Sequence, residues 1–193
     1  MKKLILLLSI CTLSVSYAAF TDFNMFDHRN RLIGILTVEH TEKDSIASVQ
    51  IKSEFFIRKW PKKWNVSEDL NSIYHNGKLH KSDLMIYKNG QMEKSVSTFK
   101  KGAQYAFNKN GIPRNIDPVG FTESMLFIKE PKGVTEVYSE HDGLKYPLSL
   151  EGEGLYQMKE TIMGKIYEFE YEDGKLMKAT LFYKLLQIYI RRK

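Results

Sequence analysis

Between residues 46 and 58, apolar and polar side chains take turns. Val49, Ile51, Phe55 and Ile57 share one parity, and Ser48, Gln50, Lys52 and Glu54 share the other. A period of two puts one set on each face of a β-strand, so this stretch is expected to be a strand with one buried side. Similar runs are separated by Asn76-Gly77, Asn89-Gly90, Asn110-Gly111, Asp142-Gly143 and Asp173-Gly174. These pairs tolerate positive φ at both central positions, as a type I′ hairpin demands. Lys101-Gly102 and Met163-Gly164 are weaker versions of the same signal. Strands are therefore expected over 20–27 and 32–41, joined across Arg29-Asn30, and over 46–58, 66–75, 78–87, 91–100 and 103–108. A second series covers 134–140, 146–150, 155–161 and 166–171 and ends in one long strand from 175 to about 190.

The stretch 117–130 breaks the rhythm. Asp117-Pro118 can cap and begin a helix, Thr122 and Ser124 offer a second start, and Pro131 stops whatever precedes it. One short helix is expected there, with an extended, fully buried run as the rival. No composition shift or fixed repeat divides the chain, which argues for one domain rather than a solenoid or propeller.

Across Asn89-Gly90 a two-residue turn would pair Tyr87 with Met92 and Ile86 with Glu93. Met85, Tyr87 and Met92 then share one face while Leu84 and Ile86 occupy the other. A flat sheet lying over water alternates more cleanly than this. The expected fold is mainly β: a curved antiparallel meander forming an open or partly closed barrel, with one short helix.

The first residues change the setting. Lys2-Lys3, an apolar run from Leu4 to Val15, and Ser16-Tyr17-Ala18 have the layout of a secretory signal with small residues at both recognition positions. The run is too short to span a bilayer as a helix. Residues 1–18 are thus expected to be a signal peptide and 19–193 a single β-rich domain. Export to the periplasm or beyond follows, with no transmembrane segment after cleavage. Cys11 is the only cysteine and would leave with the leader, so disulfides and thiolate chemistry drop out.

The chain carries 29 Lys+Arg against 23 Asp+Glu, mostly interspersed. The most basic stretch, Arg58-Lys59-Trp60-Pro61-Lys62-Lys63-Trp64, interleaves tryptophan with cations. That pattern can serve single-stranded nucleic acid, but an exported chain rarely meets any. No nucleic-acid partner is expected. An anionic membrane surface or a polysaccharide suits the charge better.

The whole chain after the leader resembles a family of exported bacterial β-proteins of unknown function. The likeness rests on Arg31-Leu32-Ile33-Gly34-Ile35-Leu36-Thr37-Val38, His75-Asn76-Gly77-Lys78-Leu79 and Tyr87-Lys88-Asn89-Gly90. Leu126-Phe127-Ile128-Lys129-Glu130-Pro131 and Tyr171-Glu172-Asp173-Gly174-Lys175 extend it. Such proteins are similar, more distantly, to open half-barrels of the lipoprotein-carrier type. That resemblance implies a curved sheet around a hydrophobic cavity closed by short helices, and an apolar ligand. It implies no catalytic residue.

Candidate chemistry is thin. Ser139-Glu140-His141-Asp142 holds the residue types of a hydrolase triad, but neighbours on a strand point to opposite faces, and triad members must converge. His75 and His80 would sit diagonally across the Asn76-Gly77 turn, roughly 7 to 8 Å apart. Two histidines fall short of the three or four ligands zinc needs. Glu123, Glu136, Glu168 and Glu170 could serve sugar hydrolysis only if two of them met across a cleft. No catalytic residue, metal site or cofactor is therefore assigned. The expectation is a non-catalytic envelope protein that binds or carries a lipid or other apolar ligand. An adaptor that binds another envelope protein through a strand edge comes second, and a glycan or ester hydrolase third. Parity and bulk nominate Phe55, Ile57, Trp60, Met85, Tyr87 and Phe127 as ligand-facing.

Overall fold

A computed structural model of the protein describes residues 17–193, except Trp60, Leu185 and the side chain of Lys59. The expected leader lies outside the described residues through residue 16, and Tyr17 and Ala18 begin the first strand. Strands β1 (Tyr17–Phe26), β2 (Leu32–Lys43), β3 (Ile46–Lys59) and β4 (Lys62–His75) come first, then β5 (Lys78–Lys88), β6 (Gln91–Lys101), β7 (Gln104–Lys109) and β8 (Ile112–Ile116). Each pairs antiparallel with the next. The two-residue strand β9 (Phe121–Thr122), the one-turn helix α1 (Glu123–Leu126) and β10 (Glu136–Tyr138) follow. The chain then runs through β11 (Lys145–Gly152), β12 (Leu155–Lys159), β13 (Ile166–Glu172), β14 (Lys175–Tyr183) and β15 (Leu186–Arg192).

β15 pairs antiparallel with β1, joining both series into one 15-stranded sheet with β8 and β9 at its edges. Only the β9–β10 pairing is parallel. The sheet is open and mostly antiparallel, as the turn pattern predicts. It curls until its two arms meet face to face. Tyr138 of β10 shares a 2.7 Å hydroxyl contact with Thr98 of β6, and Arg114 of β8 donates to the carbonyls of Asp142 and Gly143. Gly143 has φ +71°, and a Cβ there would fall 2.5 Å from the Phe107 ring, so this junction requires glycine. Gly34 admits another close approach: a Cβ on it would lie 2.1 Å from the Glu54 carbonyl oxygen.

The hairpin chemistry explains the boundaries. Asn76-Gly77, Asn89-Gly90, Asn110-Gly111 and Asp173-Gly174 have positive φ at both positions, as a type I′ turn needs. Asp142-Gly143 differs. Only Gly143 has positive φ, and it belongs to a wider turn in which its N–H donates to the Ser139 carbonyl. The long terminal strand expected over 175–190 is two strands, β14 and β15, folded at Lys184, which takes φ 54° without glycine's help. Of the loop expected over 60–64, most is strand: Lys62 already pairs with Lys59, and Trp64 lies inside β4 opposite Ile57. β8 has no counterpart in the sequence reading. Pro113 and its polar neighbours obscure it, and it is exposed at a sheet edge, where proline is tolerated.

The concave face buries Val49, Ile51, Val66, Leu70, Leu84, Val96, Phe169 and Ile190, among others. The segment from Val119 to Val134 crosses inside the curve. Its backbone and side chains meet tyrosines from both arms: Tyr171 donates to the Leu126 carbonyl at 2.6 Å and Tyr156 to Glu130 at 3.0 Å, and Tyr74 of β4 shares a 2.6 Å contact with Ser124. Such partners are what allow an irregular segment to be buried. The helix expected over 117–130 is shorter, a single turn. Its Thr122 cap makes no capping bond, because that hydroxyl is engaged by Tyr74 and Ser124. Among the described residues no helix is long and apolar enough to cross a membrane.

Strand alternation gives the sheet two ends. The β1–β2, β3–β4, β5–β6, β7–β8, β10–β11, β12–β13 and β14–β15 connections share one end, and the remaining turns share the other.

Candidate functional site

Inside the curl is a cavity of about 440 Å³. Met25, Leu36, Ile51, Phe55, Leu70 and Ile86 line one side, and Phe127, Met158, Phe169 and Ile188 line others. Asn110 of the β7–β8 turn and Glu93, Lys165 and Lys184 beside neighbouring turns also line it, so it opens at their end of the sheet. Across this mouth Tyr183 donates to Glu93 at 2.6 Å and Lys184 to the other oxygen of Glu93 at 2.5 Å. These two bonds hold the Glu93 carboxyl below its usual range.

The strand β4 supplies the polar side. Its inward positions descend from the mouth as Val66, Glu68, Leu70, Ser72 and Tyr74. Glu68 meets His141 Nε2 at 3.2 Å. Glu68 and His141 keep 18% and 37% of their side-chain surface, so this pair faces the cavity rather than the dry core. Burial opposes the Glu68 charge, but the imidazolium outweighs it and its carboxyl is lowered. Burial likewise opposes the His141 charge, and the Glu68 carboxylate, with Glu123 nearby, pushes it up to about 9. Glu123 lies at the start of α1 and accepts a 3.1 Å bond from Ser139. Burial first, then the charges of Glu140 and Asp142, push its carboxyl up to about 8 despite His141. At neutral pH Glu68 is ionised, His141 is charged and Glu123 keeps its proton. Asp142 accepts from the Tyr146 hydroxyl.

Deeper along β4, Glu140 is fully buried. It accepts from Ser124 at 2.6 Å, Ser72 at 3.2 Å and the Glu123 backbone N–H at 3.0 Å. Tyr74 shares 2.6 Å contacts with Thr122 and Ser124. This deeper knot is closed on itself.

One polar atom of the cavity wall has no such closure. Glu160 is 8% exposed, and its Oε2 finds no hydrogen-bond donor among the described residues. Lys165 Nζ stands 3.8 Å away. A buried carboxylate oxygen without a donor is costly; Glu160 is among the residues around the cavity, with this oxygen itself turned into the packed wall.

The nominated ligand-facing residues separate. Phe55 and Phe127 line the cavity. Ile57 packs half-buried against the core and is not part of the lining. Trp60 lies outside the described residues. Met85 and Tyr87 sit on the other face of β5 from the cavity-lining Ile86, and the Tyr87 hydroxyl donates to the Met85 sulfur at 3.4 Å. The buried positions of that strand are Leu84 and Ile86, on the opposite parity. Of the four glutamates considered, only Glu123 reaches the site. Glu136 pairs with Lys145, Glu170 with Lys178, and Glu168 accepts from Gln157.

Ser139, Glu140, His141 and Asp142 all contribute to the two polar layers. The alternation argument against their convergence fails because they belong to a turn, not a strand. They still do not form a nucleophile relay. The Ser139 hydroxyl donates to Glu123, and the His141 ring engages Glu68, whereas a relay joins the base to the hydroxyl. His75 and His80 stack with ring centroids 4.1 Å apart, closer than a regular hairpin allows, after a bulge between Ile73 and Tyr74. No group of three or more metal-ligating side chains occurs among the described residues.

An open, curled antiparallel sheet with an apolar cavity on its concave side and ionisable groups along one wall defines the class of protein. The chain belongs to the family described as Domain of unknown function (DUF6134), which matches residues 23–193. No curated protein and no solved structure matches it.

Proposed function

We propose that this protein is an exported, non-catalytic binder of an amphipathic molecule, held with its apolar part against Phe55, Leu70, Ile86 and Phe127. The observation that carries this reading is the cavity: its volume of about 440 Å³ falls within the range of small-molecule sites, roughly 300 to 1,000 Å³. Its composition fits too, since such sites join apolar walls to a few placed polar groups. The partly exposed Glu68 carboxylate, beside His141, favours a ligand whose polar end donates hydrogen bonds, through hydroxyl or amine groups. The leader in residues 1–18 supports an envelope setting, where lipids of this kind are at hand.

Native mass spectrometry of protein purified from its own cell envelope should find a stoichiometric lipid-like adduct. Ile86→Trp obstructs part of the cavity without adding charge, and should weaken the adduct while the β-rich circular-dichroism spectrum persists. An unliganded wild-type protein that also ignores a fluorescent long-chain amine probe would remove the basis for the proposal.

A further inference from the structure

The two ends of the sheet differ in charge. At the mouth, Asp27, Glu93 and Glu160 each have a basic partner, Arg31, Lys184 and Lys165, while Glu140 and Asp142 of the β10–β11 turn accept from the hydroxyls of Ser124 and Tyr146. Arg29, Arg58, Lys62, Lys63, Lys109 and Lys159 stand exposed at the same end with no acidic partner among the described residues. At the opposite end the turns mix signs, as in Glu42-Lys43-Asp44 and Glu172-Asp173-Gly174-Lys175. Exposed apolar side chains occur at both ends, but at the mouth they sit among these free cations. Ile162, Met163 and Ile166 project from the β12–β13 connection at 67%, 54% and 43% exposure, and Ile112 from the β7–β8 turn at 74%. Cations and exposed aliphatic tips ringing one opening match an anionic lipid surface, which attracts the former and admits the latter. An acidic protein would match the charge but gives the aliphatic tips no reason to be bare.

We infer that the mouth-end turns dock the protein onto an anionic membrane surface, with the cavity opening toward the lipid. The inference rests on surface residues and holds whether or not the cavity is occupied. Docking of this kind is reversible, since the attraction is screened within about a Debye length and shallow apolar tips do not anchor a protein alone.

Cosedimentation of the purified protein with phosphatidylcholine vesicles, with and without phosphatidylglycerol, tests it. Binding is expected only to the phosphatidylglycerol vesicles and should be lost at high salt. K62E/K63E should weaken it by well over tenfold, and I162S/M163S by less. K100E/K101E, an equal charge change at the opposite end, should leave it within about twofold. Circular dichroism verifies that each variant is folded, and intact vesicle binding by Ile86→Trp, whose cavity is obstructed, separates this docking from the cavity reading. Three results would overturn the inference: no binding to phosphatidylglycerol vesicles, equal losses from both lysine pairs, or retention on a soluble polyanion without any vesicle binding.

Discussion

Two polar layers descend the inner face of β4 some 13 Å apart at ordinary strand rise, and they are built on opposite terms. The lower layer gathers Glu140, Ser72, Ser124, Thr122 and Tyr74 with every carboxylate oxygen engaged by a neutral donor. The upper layer gathers Glu68, His141, Glu123 and Ser139 beside a cavity, with charges that hold one another in unusual protonation states. A satisfied buried network fixes the docking of one arm of the sheet on the other. A layer that keeps ionised groups at an opening is suited to meet something that enters. The contrast separates what holds the fold from what the fold presents.

The largest effect should come from below. Glu140→Ala strips partners from two hydroxyls and a backbone N–H, and should cost about 3 kcal/mol in urea denaturation. Tyr74→Phe removes one hydroxyl from the same knot and should cost about 1 to 2 kcal/mol. Tyr74→Phe should leave the His141 titration, followed by NMR, in place. Glu68→Gln acts on the upper layer. It should bring the His141 pKa down from about 9 by more than about one unit, and with it cost stability near neutral pH, less than Glu140→Ala does because the pair is partly solvated. Loss of stability without a changed titration in this variant would erase the distinction between the layers.

The smallest effect is a slope with pH. Folded Glu123 holds to about 8 a proton that the unfolded chain releases near 4.5, and His141 holds to about 9 one released near 6.5. Over those windows the folded state binds more protons, so both contributions are full at the lower pH and are lost as pH rises through 8 and 9. The melting temperature should fall from about pH 6.5 to about pH 9.5, and less steeply in Glu68→Gln. Asp27 runs the other way. Burial raises its carboxyl, but bonds from Arg31 and Arg29 hold it down at about 2, so its contribution is present above 3.8 and lost as pH falls through 2.

The sheet was legible in the chain because its signals are local. An Asn-Gly pair sets a turn through two backbone angles, and alternation sets a strand through its neighbours alone. The curl was legible from mixed apolar faces around Asn89-Gly90, although the cavity side of β5 was not, since both parities there are apolar. The site was mostly illegible. Glu68 and His141 lie 73 positions apart and are joined only by the packing of β4 against the β10–β11 turn. Nothing near Glu68 distinguishes it from the solvated glutamates of other strands. One signal was present and undervalued: four consecutive polar residues, Ser139 to Asp142, sit between apolar Val137-Tyr138 and Leu144. A polar run so framed can be a buried turn rather than a surface one.

The sheet's outermost strands, β8 and β9, never bond to each other, and the arms are held by contacts such as Thr98–Tyr138, the Arg114 guanidinium and the Glu93 bridge. A closed barrel has a circumference fixed by its strand count, and swelling it means breaking a ladder. Here the girth is set by a handful of clasps along a seam. Releasing them one at a time would let the curl and its cavity widen while nearly every main-chain bond stays intact.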